Sequence, residues 1–168
     1  MTDRPEPRGA QPDSLVIAPA SAVGVVRLGL IAELDAELNE RYPGESTNGV
    51  EADSFDAAGG CFLVARFGTA TAGCGAFRAL GRDTVEIKRM YVRPGLRDRR
   101  VAGALLVALE QEARRRGYSR AILETGTRQP EAIALCQRHG YRPIECFGVY
   151  VGNPFSVCLA KSLDPGRS

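Results

Sequence analysis

Residues 85–106 read VEIKRMYVRPGLRDRRVAGALL, and this stretch decides the fold. A β-rich run over 85–92 is ended by Pro94, an arginine-dense turn follows, and an apolar-periodic helix begins at once. This order places backbone N–H groups, arginine side chains and the positive end of a helix dipole at the end of a strand. The sequence therefore predicts an anion site here, suited above all to a pyrophosphate.

Size and composition are those of one folded domain. The chain has 168 residues, enough to bury a core without disulfides or metals. Its net charge of +2 argues against a general nucleic-acid binder, and no apolar run resembles a secretory signal or a transmembrane span. The five cysteines form no C-x-x-C pair and His139 is the only histidine, which argues against a disulfide framework and a Cys/His zinc site. We expect a cytoplasmic, reduced protein with a disordered tail over 1–13 and one domain over 14–168.

Hydrophobic periodicity outlines the strands and helices. Strands are predicted over residues 15–17, 61–67, 71–80, 84–92, 120–125, 141–146 and 155–159. Helices are predicted over 21–41, 99–116 and 130–139, with a short helical turn near 52–55. The strand–helix–strand unit from 84 to 125 requires a right-handed crossover and a parallel pair, whereas the preceding hairpins are antiparallel. The predicted fold class is α/β (α+β), a mixed sheet of about seven strands with about four helices.

The stretch around the anion site resembles the acyl-coenzyme A binding segment of the GNAT superfamily of N-acetyltransferases. That segment is a strand reading xΦxVxP followed by R-x-x-G-x-G/A, and here MYVRP (90–94) is followed by RDRRVA (97–102). Arg100 stands where the family usually has its first glycine. The resemblance implies a single GNAT-type domain with its parallel pair at the cofactor site.

The resemblance also implies how acetyl-CoA (coenzyme A) is held. Backbone N–H groups at the helix start face the pyrophosphate, where Ala102 and Gly103 keep bulk low, and the pantetheine arm pairs with the strand, where a bulge aims an N–H at the thioester oxygen. The implied cofactor-binding residues are Met90, Tyr91, Val92, Arg97, Asp98, Arg99, Arg100, Val101, Ala102, Gly103 and Gln129. Arg100 either contacts a phosphate or occupies a backbone conformation that suits glycine. Without the resemblance, the same residues describe a plain strand and a helix-capping loop.

A second stretch, LETGTRQPEAIALCQRHGY (123–141), resembles the family segment N-x-x-A-x-x-L-Y-x-x-x-G-F/Y. Gln129 replaces the usual asparagine, and Cys136 replaces the tyrosine thought to protonate the coenzyme A thiolate. Cys136 is therefore either the general acid, directly or through a water, or a core cysteine on a helix face. Tyr150, in the loop before the final strand, is the alternative proton donor.

Two glutamates are candidates for deprotonating the acceptor amine. Glu86 lies on the strand that leads into the cofactor motif, and Glu124 ends the next parallel strand. Each either acts as a base, most simply through a water relay, or pairs with a neighbouring arginine: Glu86 with Arg78 or Arg89, Glu124 with Arg128. Glu124 is favoured because its position matches the acidic residue that some GNAT enzymes use.

Residues 33–55 are the expected acceptor wall. The acidic residues there are Glu37, Glu40, Glu45 and Glu51. They suit a cationic amine, and they equally suit a solvated helix face.

Together the motifs predict an acetyl-CoA-dependent N-acetyltransferase that acts on a primary amine of a small molecule or peptide by direct attack in a ternary complex. The expected partner is that amine, with no nucleic acid and no membrane, and the chain is expected to be a monomer or homodimer. The alternative is a non-catalytic acyl-CoA-binding or regulatory domain, in which Arg100 and Cys136 mark a degenerate site. A dinucleotide-binding fold is disfavoured because no G-x-G-x-x-G follows a strand.

Overall fold

The computed structural model describes residues 14–45, 55–56 and 59–166. The strands are β1 (Leu15–Ala20), β2 (Cys61–Phe67), β3 (Ala70–Ala79), β4 (Thr84–Val92), β5 (Arg120–Gly126), β6 (Arg142–Ile144) and β7 (Ser156–Ser162). The helices are α1 (Ala22–Arg27), α2 (Leu30–Arg41), α3 (Val101–Arg115) and α4 (Pro130–Arg138), and short 3-10 helices cover Pro94–Arg99 and Gly148–Tyr150. The predicted tail and most of the predicted turn at 52–55 lie outside the described residues.

The seven strands form one mixed sheet in the order β1-β2-β3-β4-β5-β7-β6. Strands β1 to β4 pair antiparallel in chain order, and β4 then pairs in parallel with β5 through the crossover helix α3. Strand β7 lies between β5 and β6 and is antiparallel to both. The predicted fold class and the predicted parallel pair are confirmed.

Each face of the sheet has its own core. On one side, here called the α3 face, helix α3 buries Leu105, Leu106 and Leu109 completely, which contributes about 1.5–3 kcal/mol for each leucine. On the other side, the α2 face, helices α1 and α2 bury Val25 and Leu30. Because side chains alternate along a strand, neighbouring residues of β4 and β5 point to different faces. Among the helices of the described residues, none combines the length and hydropathy that crossing a bilayer requires.

The helix predicted over 21–41 is two helices. Ser21 caps α1 as expected, and its hydroxyl accepts a hydrogen bond from the N–H of Gly24 at 3.0 Å. Gly29 then adopts a φ of 76°, which ends the first helix before α2 begins at Leu30. The apolar stripe continues across this break, so periodicity alone does not reveal it.

The prediction of a chain without disulfides is wrong for one cysteine pair. Cys146 and Cys158 are bonded, with their Cα atoms 5.2 Å apart. Strand β6 pairs with β7 as far as Ile144 opposite Cys158, and the chain beyond it brings Cys146 to the same place. Sequence spacing carries no sign of this register. The buried free cysteines are Cys61, Cys74 and Cys136.

Candidate active site

The parallel strands β4 and β5 separate after their last pair. Ile87 lies opposite Leu123, and residues 88–92 of β4 continue beyond the paired region. The edge of β4 that faces this gap is placed to pair with an extended ligand, in the manner of an added strand. The gap lies at the carboxyl ends of parallel strands, where α/β sheets bind their ligands.

A β-bulge lies in β4 beside the gap. One residue of β3, Gly75, is opposite two residues of β4, Arg89 and Met90, and Arg89 adopts a φ of 57°. As a result Ile87 and Met90 both pack in the core of the α3 face although they are three positions apart. The family resemblance implies a bulge in this strand, and the structure places one at Arg89 and Met90. It redirects the backbone groups of β4 at the gap.

A cavity of about 240 Å³ has walls on both faces of the sheet at this gap. Its wall on the α3 face is apolar and includes Leu106, Leu123, Ala132, Leu135 and Cys136. Its wall on the α2 face includes the polar residues Lys88, Glu124, Tyr150, Asn153 and Ser156. This arrangement can hold an apolar chain on one side and present proton-transferring groups on the other.

The amino end of α3 is uncapped. The backbone N–H groups of Val101, Ala102 and Gly103 precede the first intrahelical bond, from Ala104 N–H to the Arg100 carbonyl at 3.2 Å. Within the described part of the chain no side chain caps this end, and the first turn carries no acidic residue. The helix end therefore has the free donors and the positive dipole that an anion requires.

Arg100 and Gly103, on either side of the start of α3, are constrained by the protein's own structure. Arg100 adopts φ 60° and ψ 20°, the left-handed conformation that glycine adopts without strain and that costs other residues about 1–2 kcal/mol. Gly103 is small because of a neighbouring side chain, since a Cβ atom there would lie 3.0 Å from His139 Nε2. Its predicted purpose, space for phosphates, stays a prediction.

Two arginines of the turn, Arg97 and Arg99, are engaged by other parts of the protein. Arg97 donates to the Val92 carbonyl at 2.8 Å and forms an ion pair with Glu37 of α2. Arg99 lies over an aromatic ring of β2, with 4.2 Å between the guanidinium carbon and the ring centroid. Asp98 and Arg100 are exposed. Arg97 thus connects this turn to helix α2, which lies on the other face of the sheet.

Glu124 is the carboxyl group at the end of β5 on the α2 face. The Ser156 hydroxyl donates a hydrogen bond to it at 2.8 Å. Burial raises the pKa of Glu124, and the Ser156 hydrogen bond and the charge of Lys88 oppose that rise. Its alternative partner, Arg128, is engaged elsewhere.

Glu86 is completely buried behind the cavity wall. It accepts a hydrogen bond from Arg78 at 2.7 Å, the pairing expected as the alternative to catalysis, and a second from the Tyr150 hydroxyl at 3.1 Å. Lys88 donates to that same hydroxyl and lies 3.5 Å from Glu86 Oε1. Sequence reasoning missed Lys88, because a lone lysine in a strand gives no signal of a partner that is 62 positions away.

The end of α2 closes the cavity beside β5. Tyr42 lines the cavity, and its hydroxyl accepts the Arg128 N–H at 2.9 Å. The Arg128 guanidinium lies over the rings of Tyr42 and Phe155, 5.5 and 5.0 Å from their centroids, and donates to the Arg41 carbonyl at 2.7 Å. Gly126 makes this packing possible, because a Cβ atom there would overlap the Tyr42 hydroxyl.

The structure separates the acidic residues predicted on the acceptor wall. Glu45 lines the cavity, whereas Glu37 is held by two arginines and Glu40 is exposed. Glu51 lies outside the described residues. Gln129, predicted to contact the cofactor, lines the cavity and accepts a backbone N–H at 3.2 Å.

Known proteins resemble this chain over most of its length. The family described as Acetyltransferase (GNAT) family matches residues 30–141. The chain belongs to the GNAT family. An IAA acetyltransferase of Azospirillum brasilense is 36% identical over 154 residues, which cover 89% of this chain and 99% of the relative.

Solved GNAT structures share the fold. The structure of a Klebsiella pneumoniae protein assigned as an acyl-CoA N-acyltransferase is 31% identical, with a TM-score of 0.74 over 89% of this chain and 98% of that one. A GNAT acetyltransferase of Elizabethkingia anophelis, solved with acetyl-CoA bound, has a TM-score of 0.65 at 19% identity, over 89% and 99% of the two chains.

Cys136 stands where GNAT proteins usually have tyrosine. It is 7% exposed on the apolar wall, and burial raises the pKa of its thiol to about 11. The thiol is therefore protonated at neutral pH, although it reaches less far than a phenol. Tyr150, the other predicted donor, lies on the polar wall, where burial and the charge of Glu86 raise its pKa.

Proposed function

We propose that this GNAT protein is an acetyl-CoA-dependent N-acetyltransferase that acetylates a primary amine of a small molecule or peptide by direct attack in a ternary complex. The observation that carries this proposal is the cavity at the gap between β4 and β5, which is apolar on the α3 face and polar on the α2 face. Reactants bound from the two faces meet at the gap, and holding them in the reacting orientation provides much of the rate enhancement.

The α3 face and the free edge of β4 hold the acyl donor. The N–H groups of Val101, Ala102 and Gly103 bind the pyrophosphate, and residues 88–92 pair with the pantetheine arm. Acetyl-CoA supplies the acyl group as an activated thioester. The Met90 N–H, redirected by the bulge, donates to the acyl oxygen, which gains negative charge during attack.

Residues on the α2 face accept protons from the acceptor nitrogen. An ammonium group that becomes an amide loses two protons, one before attack and one as the N–C bond forms. Glu124 accepts the first, directly or through a water, and Ser156 keeps its carboxylate oriented. A carboxylate is a weak base for an amine of pKa about 10, and the raised pKa of Glu124 narrows that difference.

The leaving thiolate needs little help. A thiol has a pKa of roughly 8.5, so its anion leaves readily and is protonated by water. Cys136, the protonated side chain on the apolar wall, contributes mainly shape to this side of the cavity. This chemistry makes the usual tyrosine dispensable.

The test is thiol release from acetyl-CoA with a panel of amines, for the wild type and for Glu124→Gln. We expect Glu124→Gln to lose most of its rate near neutral pH and less at high pH, where the free amine is already neutral. The wild-type rate falls as pH drops through the raised pKa of Glu124, because a protonated carboxyl cannot accept a proton, and the variant lacks that limb. The exposed Glu145→Gln is the matched control.

Two results would contradict this assignment. A loss of rate in Glu124→Gln that is the same at every pH moves the role of base to another group. Coenzyme A binding without thiol release for any amine favours the non-catalytic acyl-CoA-binding alternative.

A further inference from the structure

The Tyr150 hydroxyl on the polar wall makes two hydrogen bonds, and the chemistry of its two partners fixes which group donates in each. A lysine ammonium group only donates hydrogen bonds and a carboxylate only accepts them. Lys88 therefore donates to the Tyr150 oxygen, and Tyr150 donates its own proton to Glu86. The phenol oxygen carries two lone pairs, and Lys88 occupies one of them. Tyr150 is also part of the cavity wall, together with Lys88 and Glu124.

Lys88 is not required to neutralise Glu86. The Arg78 guanidinium already pairs with that carboxylate at 2.7 Å, on the oxygen that Tyr150 does not use. Lys88 instead extends to the hydroxyl, with its side chain only 12% exposed and its ammonium 5.1 Å from the centre of the phenol ring. Burying an ammonium group is unfavourable unless it gains partners, and here the closest partner is a neutral hydroxyl at the cavity wall.

We propose that Lys88 is a positioning residue of the acceptor site, which holds the Tyr150 hydroxyl so that its remaining lone pair faces the acceptor amine. This inference rests on the proposed acetyl transfer and concerns the second proton of the nitrogen. As the N–C bond forms, the N–H bond breaks and its electron pair stays on nitrogen. An O–H bond forms on Tyr150 while the phenol proton moves to Glu86 Oε1. Without Lys88 the hydroxyl can rotate and direct its proton into the cavity, where it cannot accept another.

The experiment compares Lys88→Met, Tyr150→Phe and the double variant in steady-state acetylation. We expect kcat to fall about a hundredfold in Tyr150→Phe, in the range of proton-transfer groups, and roughly tenfold in Lys88→Met. In the Tyr150→Phe background, Lys88→Met should change kcat less than about twofold, because Lys88 acts through the hydroxyl. The KM for acetyl-CoA should stay unchanged, since residue 88 is proposed to contact the pantetheine arm through its backbone, whereas the Lys88 side chain lies on the polar wall of the acceptor side.

The chain offers a matched control in its second lysine. Lys161 pairs with the buried Glu110 at 2.8 Å and is not part of the cavity wall. Lys161→Met removes the same ammonium group from a buried carboxylate, so it should lower the melting temperature without changing kcat.

Three outcomes decide the inference. Equal tenfold losses from Lys88→Met in both backgrounds overturn it, because the lysine would then act independently of Tyr150. Lys88→Arg, which keeps a donor, should recover part of kcat, and it replaces Lys88→Met in the cycle if the methionine variant does not fold. A wild type that binds coenzyme A but acetylates no amine would refute the proposed function itself. That result differs from equal losses in the two backgrounds, which would refute only the role of Lys88.

Discussion

An acidic residue at the start of α3 tests the anion site most directly. Ala102 is the second residue of the helix, in a first turn that carries no acidic side chain. Ala102→Asp therefore places a carboxylate among the N–H groups proposed to bind the pyrophosphate. In the free protein this carboxylate is favourable by about 0.3–1 kcal/mol at the helix end, which offsets the loss of up to about 0.7 kcal/mol in helix propensity.

In the complex with coenzyme A, the same carboxylate should be unfavourable. A carboxylate roughly 6 Å from two phosphate charges is repelled by about 1.4 kcal/mol even at the dielectric constant of water, and by several times more in a partly buried site. The dissociation constant of coenzyme A should therefore rise at least about tenfold. Gln111→Asp is the control, because this exposed position lies about 14 Å further along the same helix, beyond a Debye length of about 10 Å.

Calorimetric titration with coenzyme A measures the dissociation constants of the two variants, and thermal unfolding measures the melting temperatures of the free proteins. The expected result is unchanged melting of the free Ala102→Asp protein together with weak binding, whereas Gln111→Asp binds like the wild type. Equal affinity in the two variants would place the pyrophosphate elsewhere. A fall in both melting temperature and affinity would show damage to the helix instead.

The remaining predictions concern the cavity walls. Gly126→Ala should lower the free energy of unfolding by about 2–4 kcal/mol, because the added methyl group displaces Tyr42 and its hydrogen bond, whereas Gly95→Ala, in open space, should change it by less than about 0.5 kcal/mol in the same denaturant titration. Equal effects would exclude this packing as the cause. Cys136→Ser should change kcat by less than about tenfold. Complete loss of activity with intact cofactor binding and melting temperature would instead make Cys136 the working acid.

The parts that the sequence predicted are those whose determinants are close together in the chain. The strand end, Pro94, the arginine turn and the apolar helix lie within 85–106 and the next strand follows by residue 120, so their order requires the parallel pair and places the amino end of α3 beside the end of β4. The sequence also predicted, as one of two possibilities, that Arg100 occupies a backbone conformation that suits glycine. This prediction depends on a single residue, and the φ of 60° at Arg100 agrees with it.

The parts that the sequence did not predict depend on register and on long-range charge pairing. The acidic residues over 33–55 indicated a cationic substrate, yet Glu37, one of them, pairs with an arginine 60 positions later. A helix face shows its charge but not its partner, so the charge pattern alone could not distinguish a substrate from the next element of the fold. The Lys88–Tyr150–Glu86 contacts were hidden for the same reason, because they depend on how the loop before β7 crosses the sheet.

The bulge in β4 explains why both kinds of residue meet at one place. With strict alternation, Glu86 and Lys88 would share the α2 face with residue 90, and Met90 would turn away from the apolar wall. The additional residue at Arg89 changes the alternation, so that Met90 packs on the α3 face while Lys88 stays on the α2 face. The polar wall and the apolar wall therefore begin at adjacent points of a single strand, one on each side of the N–H that is proposed to polarise the acyl group. If the same residues alternated strictly, without the bulge, every side chain of β4 after Arg89 would lie on the opposite face. The bulge therefore belongs to the chemistry as much as to the fold.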